Sequence, residues 1–264
     1  MSKLLLLDVQ PVILAGLLYL GAGGGIAALR LFTRGKGMSG RRPERADTPF
    51  IIGMVLLDIL APILLLFGLQ NAEAANISLL NNFEIAATAL IALLLFGEKV
   101  SKRLWAAILL VTAACALLSV EDAGSLRFSR GSLCALGACL CWGVENNCTR
   151  RLSSIDPRLI VIIKGFGSGG ASLALGLLIG ERLPGAGILL CALALGFVAY
   201  GLSITFYILA QRYLGAARTS AFYAAAPFIG ALLSLLLFGT PPGRLFPFAF
   251  VLMALGALLA AKAT

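Results

Sequence analysis

The chain has 264 residues, of which 60% are hydrophobic and only 12% are charged. An ordinary soluble domain is about half apolar and about a quarter charged, so this composition excludes a soluble globular protein and indicates a membrane protein. The net charge of +9 comes from basic clusters between apolar runs, which is typical of cytoplasmic loops and not of a nucleic-acid-binding surface.

Nine apolar segments follow one another along the chain, most of them close to the roughly 20 residues that a transmembrane helix needs. They lie at about 10–30, 49–69, 74–96, 104–120, 131–149, 159–180, 187–211, 216–239 and 245–261. Most of the connections are short, which favours antiparallel neighbouring helices. The sequence therefore predicts an all-α membrane protein, a polytopic helical bundle.

Basic residues are distributed unevenly between alternate loops. The only long polar linker, residues 30–47, carries six of them, including Arg30, Arg41 and Arg45. The loops on its side of the predicted topology hold about three times as many basic residues as the loops on the other side. By the positive-inside rule that side is cytoplasmic. We therefore predict a multi-pass protein of the cell (inner) membrane with a cytoplasmic C-terminus.

Two stretches of the chain repeat at nearly the same distance. A shift of 142 positions lays residues 74–97 on residues 216–239, with an Ala-Ala-x-x-Ser start and a Phe-Gly end in both copies. A shift of 141 positions aligns residues 111–118 with residues 252–259. The first pair comprises the third and eighth segments, five crossings apart, so the second copy runs in the opposite direction. The pattern predicts an inverted repeat, as in many secondary transporters.

The two predicted halves, residues 1–125 and 126–264, differ in their number of helices. The second half has five apolar segments and the first has four, because nothing before residue 10 corresponds to the segment that opens the second half. Residues 1–8 have the composition of the end of such a helix. We expect five-helix units whose first helix is missing here, through a late start site or truncation, with a true nine-helix protein as the alternative.

Several stretches resemble the drug/metabolite transporter superfamily, and within it the EamA-type transporters, in which two homologous five-helix halves make ten helices. The resembling residues are found at 14–23, 78–84 (Ser-Leu-Leu-Asn-Asn-Phe-Glu), 141–150, 164–165 and 215–221. The chain departs from the family at Ile85, where a helix-kinking Pro or a Gly is frequent, and at Thr240, where a Glu commonly stands. The resemblance implies a transporter and does not identify a substrate.

Glu84 is the leading candidate for a functional residue. It lies about 15 Å into its predicted helix, at the midplane of a bilayer core roughly 30 Å thick. A carboxylate at that depth costs about 3 kcal/mol on insertion scales and is expected to face the bundle interior. Asn81 lies one turn away on the same face, next to Asn82. We expect Glu84 to exchange a proton during transport or to pair with a cationic substrate; a protonated, hydrogen-bonded structural Glu is the alternative.

A second polar group lies at matching depths in the fifth and sixth segments. Glu145, Asn146 and Asn147 precede the end of one segment, and Lys164 follows the start of the next at a similar depth. We predict an ion pair between Glu145 and Lys164, with the asparagines bonding nearby backbone or substrate, in a structural or a functional role. Asp58, near mid-depth in the second segment, is the alternative partner of Lys164.

Glycines cluster at corresponding places in the two halves, at residues 21–25 and 165–170. Small residues let helices approach closely, and glycine-interrupted segments at corresponding positions also point to a transport site. We expect close packing there, and a cavity to which Tyr19, Tyr200 and Tyr223 contribute.

Metal and cofactor chemistry is not expected. The chain has no histidine, and three of its cysteines, Cys134, Cys141 and Cys148, repeat every seven residues, which is no zinc spacing. We interpret these cysteines as small residues on a helix-packing stripe. The absence of histidine and of paired intramembrane aspartates also disfavours an intramembrane enzyme.

These features predict a secondary transporter that exports a small metabolite or amphipathic compound by alternating access, coupled to protons through Glu84. The alternatives are a flippase for a lipid-linked headgroup and a non-transporting membrane scaffold. The expected partners are a small-molecule substrate, protons, the lipid bilayer and, in a homodimer, a second copy of the chain. No nucleic acid is expected to bind.

Overall fold

The computed structural model describes residues 2–33, 40–96, 101–122, 127–214, 226–239 and 244–263. In these residues the helices, numbered in chain order, are α1 (Ser2–Leu5), α2 (Pro11–Phe32), α3 (Thr48–Asn71), α4 (Ala74–Leu80), α5 (Phe83–Phe96), α6 (Lys102–Ser119), α7 (Arg130–Leu152), α8 (Pro157–Leu178), α9 (Ala186–Gly196), α10 (Ser203–Leu214), α11 (Ala226–Phe238) and α12 (Phe246–Ala263). A 3-10 turn at Arg45–Asp47 precedes α3, and a π-helical stretch at Phe197–Leu202 joins α9 to α10.

Strand structure in the described residues is confined to one short antiparallel ladder, β1 (Val120–Asp122) with β2 (Arg127–Phe128). The predicted all-α class is therefore confirmed. The four residues of α1 lie in the stretch that was expected to end an opening helix.

Four helical stretches in the described part of the chain are long and apolar enough to cross a membrane: Pro11–Phe32, Arg45–Asn71, Pro157–Leu178 and Ala186–Ala210. Large apolar side chains on these stretches remain exposed, among them Phe32, Leu56 and Leu178. Soluble proteins seldom expose so much contiguous apolar surface, whereas lipid tails solvate it. The chain is a multi-pass membrane protein.

The chain folds into two compact units. The first unit contains Met1–Leu66 and Cys148–Gly215, and the second contains Phe67–Asn147 and Ala216–Thr264. Each unit draws on both predicted halves of the sequence, because the chain leaves the first unit within α3 and returns to it within α7. Contacts between segments from different halves therefore help to hold each unit together. The predicted boundary near residue 125 stays a prediction.

In both units, helices from apolar segments five places apart in the sequence pack side by side. In the first unit α2 packs along α8; in the second unit α6 packs on α12, and α4 packs on α11. The Ser78 hydroxyl joins α4 to α11 by donating a hydrogen bond to the carbonyl oxygen of Pro227 over 3.0 Å. Each pair combines one apolar segment with the segment five places later. Two related halves would give this arrangement, while their inverted orientation stays a prediction.

Glycines bring the backbones of α2 and α8 into contact. A Cβ atom added at Gly165 would lie within 3.0 Å of Gly23 Cα, and a Cβ atom at Gly23 would lie within 3.0 Å of Gly165 Cα. Gly24 and Gly170, in the same clusters, have nothing within 4 Å of an added Cβ. The close-packing interpretation is confirmed at Gly23 and Gly165, and it does not apply to Gly24 and Gly170.

One end of the first unit is organised around the loop at residues 153–156. The backbone N–H and the Nε of Arg41 donate hydrogen bonds to the carbonyl and hydroxyl oxygens of Ser154 over 3.0 and 2.9 Å. Arg212 Nη2 donates a hydrogen bond to the carbonyl oxygen of Ile155 over 2.6 Å. Arg41, Arg212 and this loop belong to three connections that the predicted topology puts on the same side of the membrane. The hydrogen bonds show that the three connections are in contact. That this side is cytoplasmic stays a prediction.

We expect Gly165→Ala to lower the stability of the purified protein by about 1–3 kcal/mol, because its methyl group would overlap the backbone of α2. Gly170→Ala on the same helix is the matched control and should be neutral or slightly stabilising, because the site has room and Ala favours helix. Thermal unfolding in detergent measures both variants. Equal midpoints for the two would contradict the proposed backbone contact.

Candidate functional site

A break in mid-span separates α4 from α5 in the second unit. Helix α4 ends at Leu80, Asn81 and Asn82 form a turn, and α5 begins at Phe83. The N–H groups of Glu84 and Ile85 donate hydrogen bonds three residues back, to the carbonyl oxygens of Asn81 and Asn82 over 3.1 Å each. Asn side chains favour turns over helix interiors, which explains the position. The apolar segment predicted at about 74–96 therefore consists of two helices joined by this turn.

Glu84 lies in the first turn of α5, directly after the break. Its Oε1 accepts a hydrogen bond from Asn146 Nδ2 of α7 over 2.6 Å. Thr88, one turn further along α5, donates its hydroxyl to the Glu84 carbonyl oxygen over 2.7 Å and lies 3.3 Å from the same Asn146 nitrogen. The carboxylate is thus held at the positive end of α5, and an amide of the neighbouring helix fixes its direction.

Helix α7 presents small and polar residues to the break. The Cys139 thiol donates a weak hydrogen bond to the carbonyl oxygen of Leu80 over 3.5 Å. Gly143 lets α5 approach, since an added Cβ would lie 2.9 Å from Ala87 Cβ. Asn147 Nδ2 donates to the Gly143 carbonyl oxygen over 2.9 Å and lies 3.2 Å from the Thr88 carbonyl oxygen. One face of α7 therefore donates hydrogen bonds to acceptors on both sides of the turn.

The turn also contains buried amide groups that bond no other described residue. Asn82 is 1% exposed, and neither its Oδ1 nor its Nδ2 has a hydrogen-bond partner. Asn81 Oδ1 is likewise buried without a partner. More than about nine-tenths of buried polar groups in proteins are hydrogen-bonded, so these two side chains are unusual.

The first unit contains a separate polar network around Asp58. Tyr19 Oη donates a hydrogen bond to Asp58 Oδ1 over 2.9 Å, and Lys164 Nζ lies 3.2 Å from Asp58 Oδ2. Asp58 is 1% exposed and Lys164 is 4% exposed. The ring of Tyr200 packs on that of Tyr19, with 5.3 Å between the centroids. Helices α2, α3 and α8 and the π-helical stretch each contribute one residue to this network.

The π-helical stretch sets the position of Tyr200. It replaces the middle of the predicted segment 187–211, and it packs on α2, where an added Cβ at Gly201 would lie 3.1 Å from Ala22 Cα. Thr205 donates its hydroxyl to the Gly201 carbonyl oxygen over 2.7 Å at the end of the stretch. Such π-bulges are rare and are often found at functional sites.

Comparison with known proteins assigns the family. The sequence model of the EamA-like transporter family matches the chain twice, over residues 1–120 and 129–262. The chain belongs to the EamA-like transporter family. The resemblance noted in the sequence is thereby confirmed, and the predicted boundary near residue 125 falls between the two matched ranges. As a family of transporters, EamA-like proteins are not an enzyme family.

Two individual proteins are similar to this chain. An uncharacterized transporter of Methanothermobacter thermautotrophicus (strain Delta H) is 27% identical over 216 residues, which cover 78% of this chain and 62% of that protein. The chain thus spans about six-tenths of the length of this relative. A solved crystal structure superposes with a TM-score of 0.68 and 22% identity, over 96% of this chain and 87% of its own. At this identity the likeness shows the fold alone.

The second unit brings together five of the residues that the sequence singled out. Glu84 and Asn146 are hydrogen-bonded, Asn81 and Asn82 form the adjacent break, and Asn147 bonds backbone, as expected. Sequence reasoning missed Cys139, Gly143 and Thr88. The spacing of Cys139, Gly143 and Asn146 at helical intervals of four and three was the available signal. Cys139, whose thiol bonds the Leu80 carbonyl oxygen at the turn, is not one of the heptad cysteines Cys134, Cys141 and Cys148.

The first unit holds Tyr19, Asp58, Lys164 and Tyr200, and within it Lys164 pairs with Asp58, the partner first given as the alternative. The predicted pair between Glu145 and Lys164 would join residues of different units, so it stays a prediction. Glu145 itself is 3% exposed. Tyr223 lies outside the described residues. Among the described side chains, no group of three or more Cys, Asp or Glu is placed to hold a metal ion.

A double-mutant cycle should show the coupling between Asp58 and Lys164. We expect Asp58→Leu or Lys164→Met alone to cost about 3 kcal/mol or more, because each leaves a buried charge without this partner. The double variant should be more stable than either single variant. Tyr19→Phe, which removes one hydrogen bond, is the control and should cost about 1 kcal/mol. Additive losses in thermal unfolding would show that the two charges are not coupled.

Proposed function

We propose that this protein transports a small polar or amphipathic solute across the membrane by alternating access, with Glu84 as the residue that couples transport to protons. The observation that carries the proposal is the helix break beside Glu84. Interrupted helices whose ends meet at mid-depth form the substrate and ion sites of many secondary transporters. Membership of a transporter family supports the same function.

The side chains around the break support a functional role over a purely structural one. An intramembrane carboxylate is costly to insert and is a functional candidate by default. Here it lies close in sequence to Asn82, whose buried amide has no partner among the described residues, and to Asn81, whose buried Oδ1 has none. A site built only for stability would satisfy these groups, because each one left unbonded costs about 1–3 kcal/mol.

Orientation and direction are part of the proposal. The excess of basic residues supports a cytoplasmic C-terminus in the cell membrane. The meeting of Arg41 and Arg212 at the loop of residues 153–156 supports a common side for those connections. We propose export as the direction, and a small metabolite or amphipathic compound as the substrate.

The test first needs a substrate. Cells that lack their own broad-range exporters and produce this protein would be grown on a panel of amino acids, analogues and toxic compounds. Resistance or accumulation outside the cell identifies a compound, which is then assayed in liposomes containing the purified protein. A pH-sensitive dye inside the liposomes reports whether protons move with it.

We expect Glu84→Gln to reduce transport by about tenfold or more and to remove its dependence on pH, because the amide cannot exchange a proton. Glu73→Gln is the matched control: Glu73 lies at the start of α4 in the same unit and makes no side-chain capping bond. It should transport like the unchanged protein. Normal transport by Glu84→Gln at every pH would refute the coupling role.

A further inference from the structure

The end of the first unit around the loop of residues 153–156 carries a large excess of positive charge. Its described residues, at 30–33, 40–48, 149–158 and 212–213, include eight arginines and three acidic residues. At the opposite end of the same unit, the positive charges of Lys3 and Arg182 are balanced by Asp8 and Glu181. The excess is therefore a property of one end and not of the whole unit.

The acidic residues at this end already face arginines of the same end. Arg41 Nη2 donates a hydrogen bond to Asp47 Oδ1 over 2.7 Å, and Arg41 Nη1 lies 3.7 Å from Glu44 Oε1. Arg158 Nε lies 3.4 Å from Asp156 Oδ1. Three acidic groups cannot neutralise eight arginines, so the charge of the other arginines at this end is left in excess.

Four of these arginines have exposed side chains: Arg42, Arg45, Arg150 and Arg151. Contacts between their neighbours in sequence bring them to one surface, because Arg41 bonds both Asp47 and Ser154. A guanidinium group presents N–H donors in a planar fork that matches two oxygens of a phosphate. We call Arg42, Arg45, Arg150 and Arg151 the arginine cluster, and its chemistry suits a phosphate group.

An exposed apolar stripe begins close to the arginine cluster. The 3-10 turn that starts at Arg45 runs directly into α3, on which Ile52, Leu56 and Leu60 are 48–59% exposed. Residues four apart share one face of a helix, so these side chains form a stripe about 12 Å long from Ile52 to Leu60. The stripe thus leads away from the arginines along a helix that crosses the membrane.

We infer that this end of the first unit binds an anionic phospholipid, with its phosphate at Arg42 and Arg45 and an acyl chain along Ile52, Leu56 and Leu60. Basic clusters beside membrane-spanning helices attract anionic headgroups. An acidic peptide or a nucleic acid would match the charge of the cluster but not the apolar stripe. A zwitterionic phospholipid would match the stripe but has no net charge. The inference concerns a bound lipid and does not depend on the proposed transport.

Thermal unfolding of the protein in a neutral detergent, at about 150 mM salt to screen distant charges, tests the inference. Three additives are compared at equal concentration. Dioleoyl phosphatidylglycerol has the negative headgroup and the chains, dioleoyl phosphatidylcholine has the same chains without net charge, and glycerol phosphate has the phosphate without chains. Phosphatidylglycerol should raise the midpoint by roughly 2 °C or more over the other two. An equal shift with either of them would overturn the inference.

Two variants connect the shift to the arginine cluster. Arg45→Gln should reduce the phosphatidylglycerol shift to about half or less, because one of the two phosphate partners is removed. Its midpoint without lipid should stay close to that of the unchanged protein, because the side chain is exposed. Arg42→Gln, which lies outside the helices, should have the same effect and replaces Arg45→Gln if that variant does not fold.

Arg182→Gln is the matched control. Arg182 is an exposed arginine at the opposite end of the same unit, and its substitution changes the net charge by the same amount. This variant should keep the full phosphatidylglycerol shift. Equal shifts in Arg182→Gln, Arg42→Gln and Arg45→Gln would mean that the lipid responds to the net charge of the protein, and would overturn the site.

Discussion

Lipid offers no hydrogen bonds, so every polar group of a membrane-spanning helix must find its partner inside the protein. The turn at Asn81 and Asn82 is an exception, because amide atoms of both side chains are buried without a partner among the described residues. In the second unit, α7 packs against this turn. Gly143 allows α7 to come close, and from the same face Cys139 and Asn146 reach the interrupted helix. The turn between α4 and α5, the close packing of α7 and the position of the Glu84 carboxylate therefore depend on one another.

The same constraint acts on charge in the first unit. Asp58 and Lys164 are buried together, and Tyr19 contributes a further hydrogen bond to the aspartate. Well-packed apolar residues usually replace a buried ion pair without loss of stability, so such a pair is weak evidence for a stabilising role. Under the proposed function, this network and the turn at Asn82 are the polar groups of the described residues that we expect to exchange partners during transport.

The sequence predicted the helical class, the family and most of the polar residues, because composition, the repeat and intramembrane charge are all visible in a single chain. It did not predict the break, because hydropathy averaged over a window hides two asparagines between apolar runs. Counting residues from a helix end gives the depth of the Lys164 side chain but not its direction around the helix axis. Depth alone therefore could not decide whether Lys164 pairs with Asp58 or with Glu145. The π-helical stretch has the same apolar composition as the α-helices on either side of it, so the sequence gave no indication of it.

The contact between Gly23 and Gly165 has a wider meaning, because these glycines are separated by 142 positions, the offset of the repeat. At the same offset, each of three ionisable candidates has a counterpart without charge: Ala22 for Lys164, Tyr200 for Asp58 and Ala226 for Glu84. Two identical subunits would present every charge twice, and lysines on both sides of the glycine contact would repel one another. A duplicated gene expressed as one polypeptide escapes that symmetry. Each copy was free to diverge, so an interface between equivalent helices carries a single lysine.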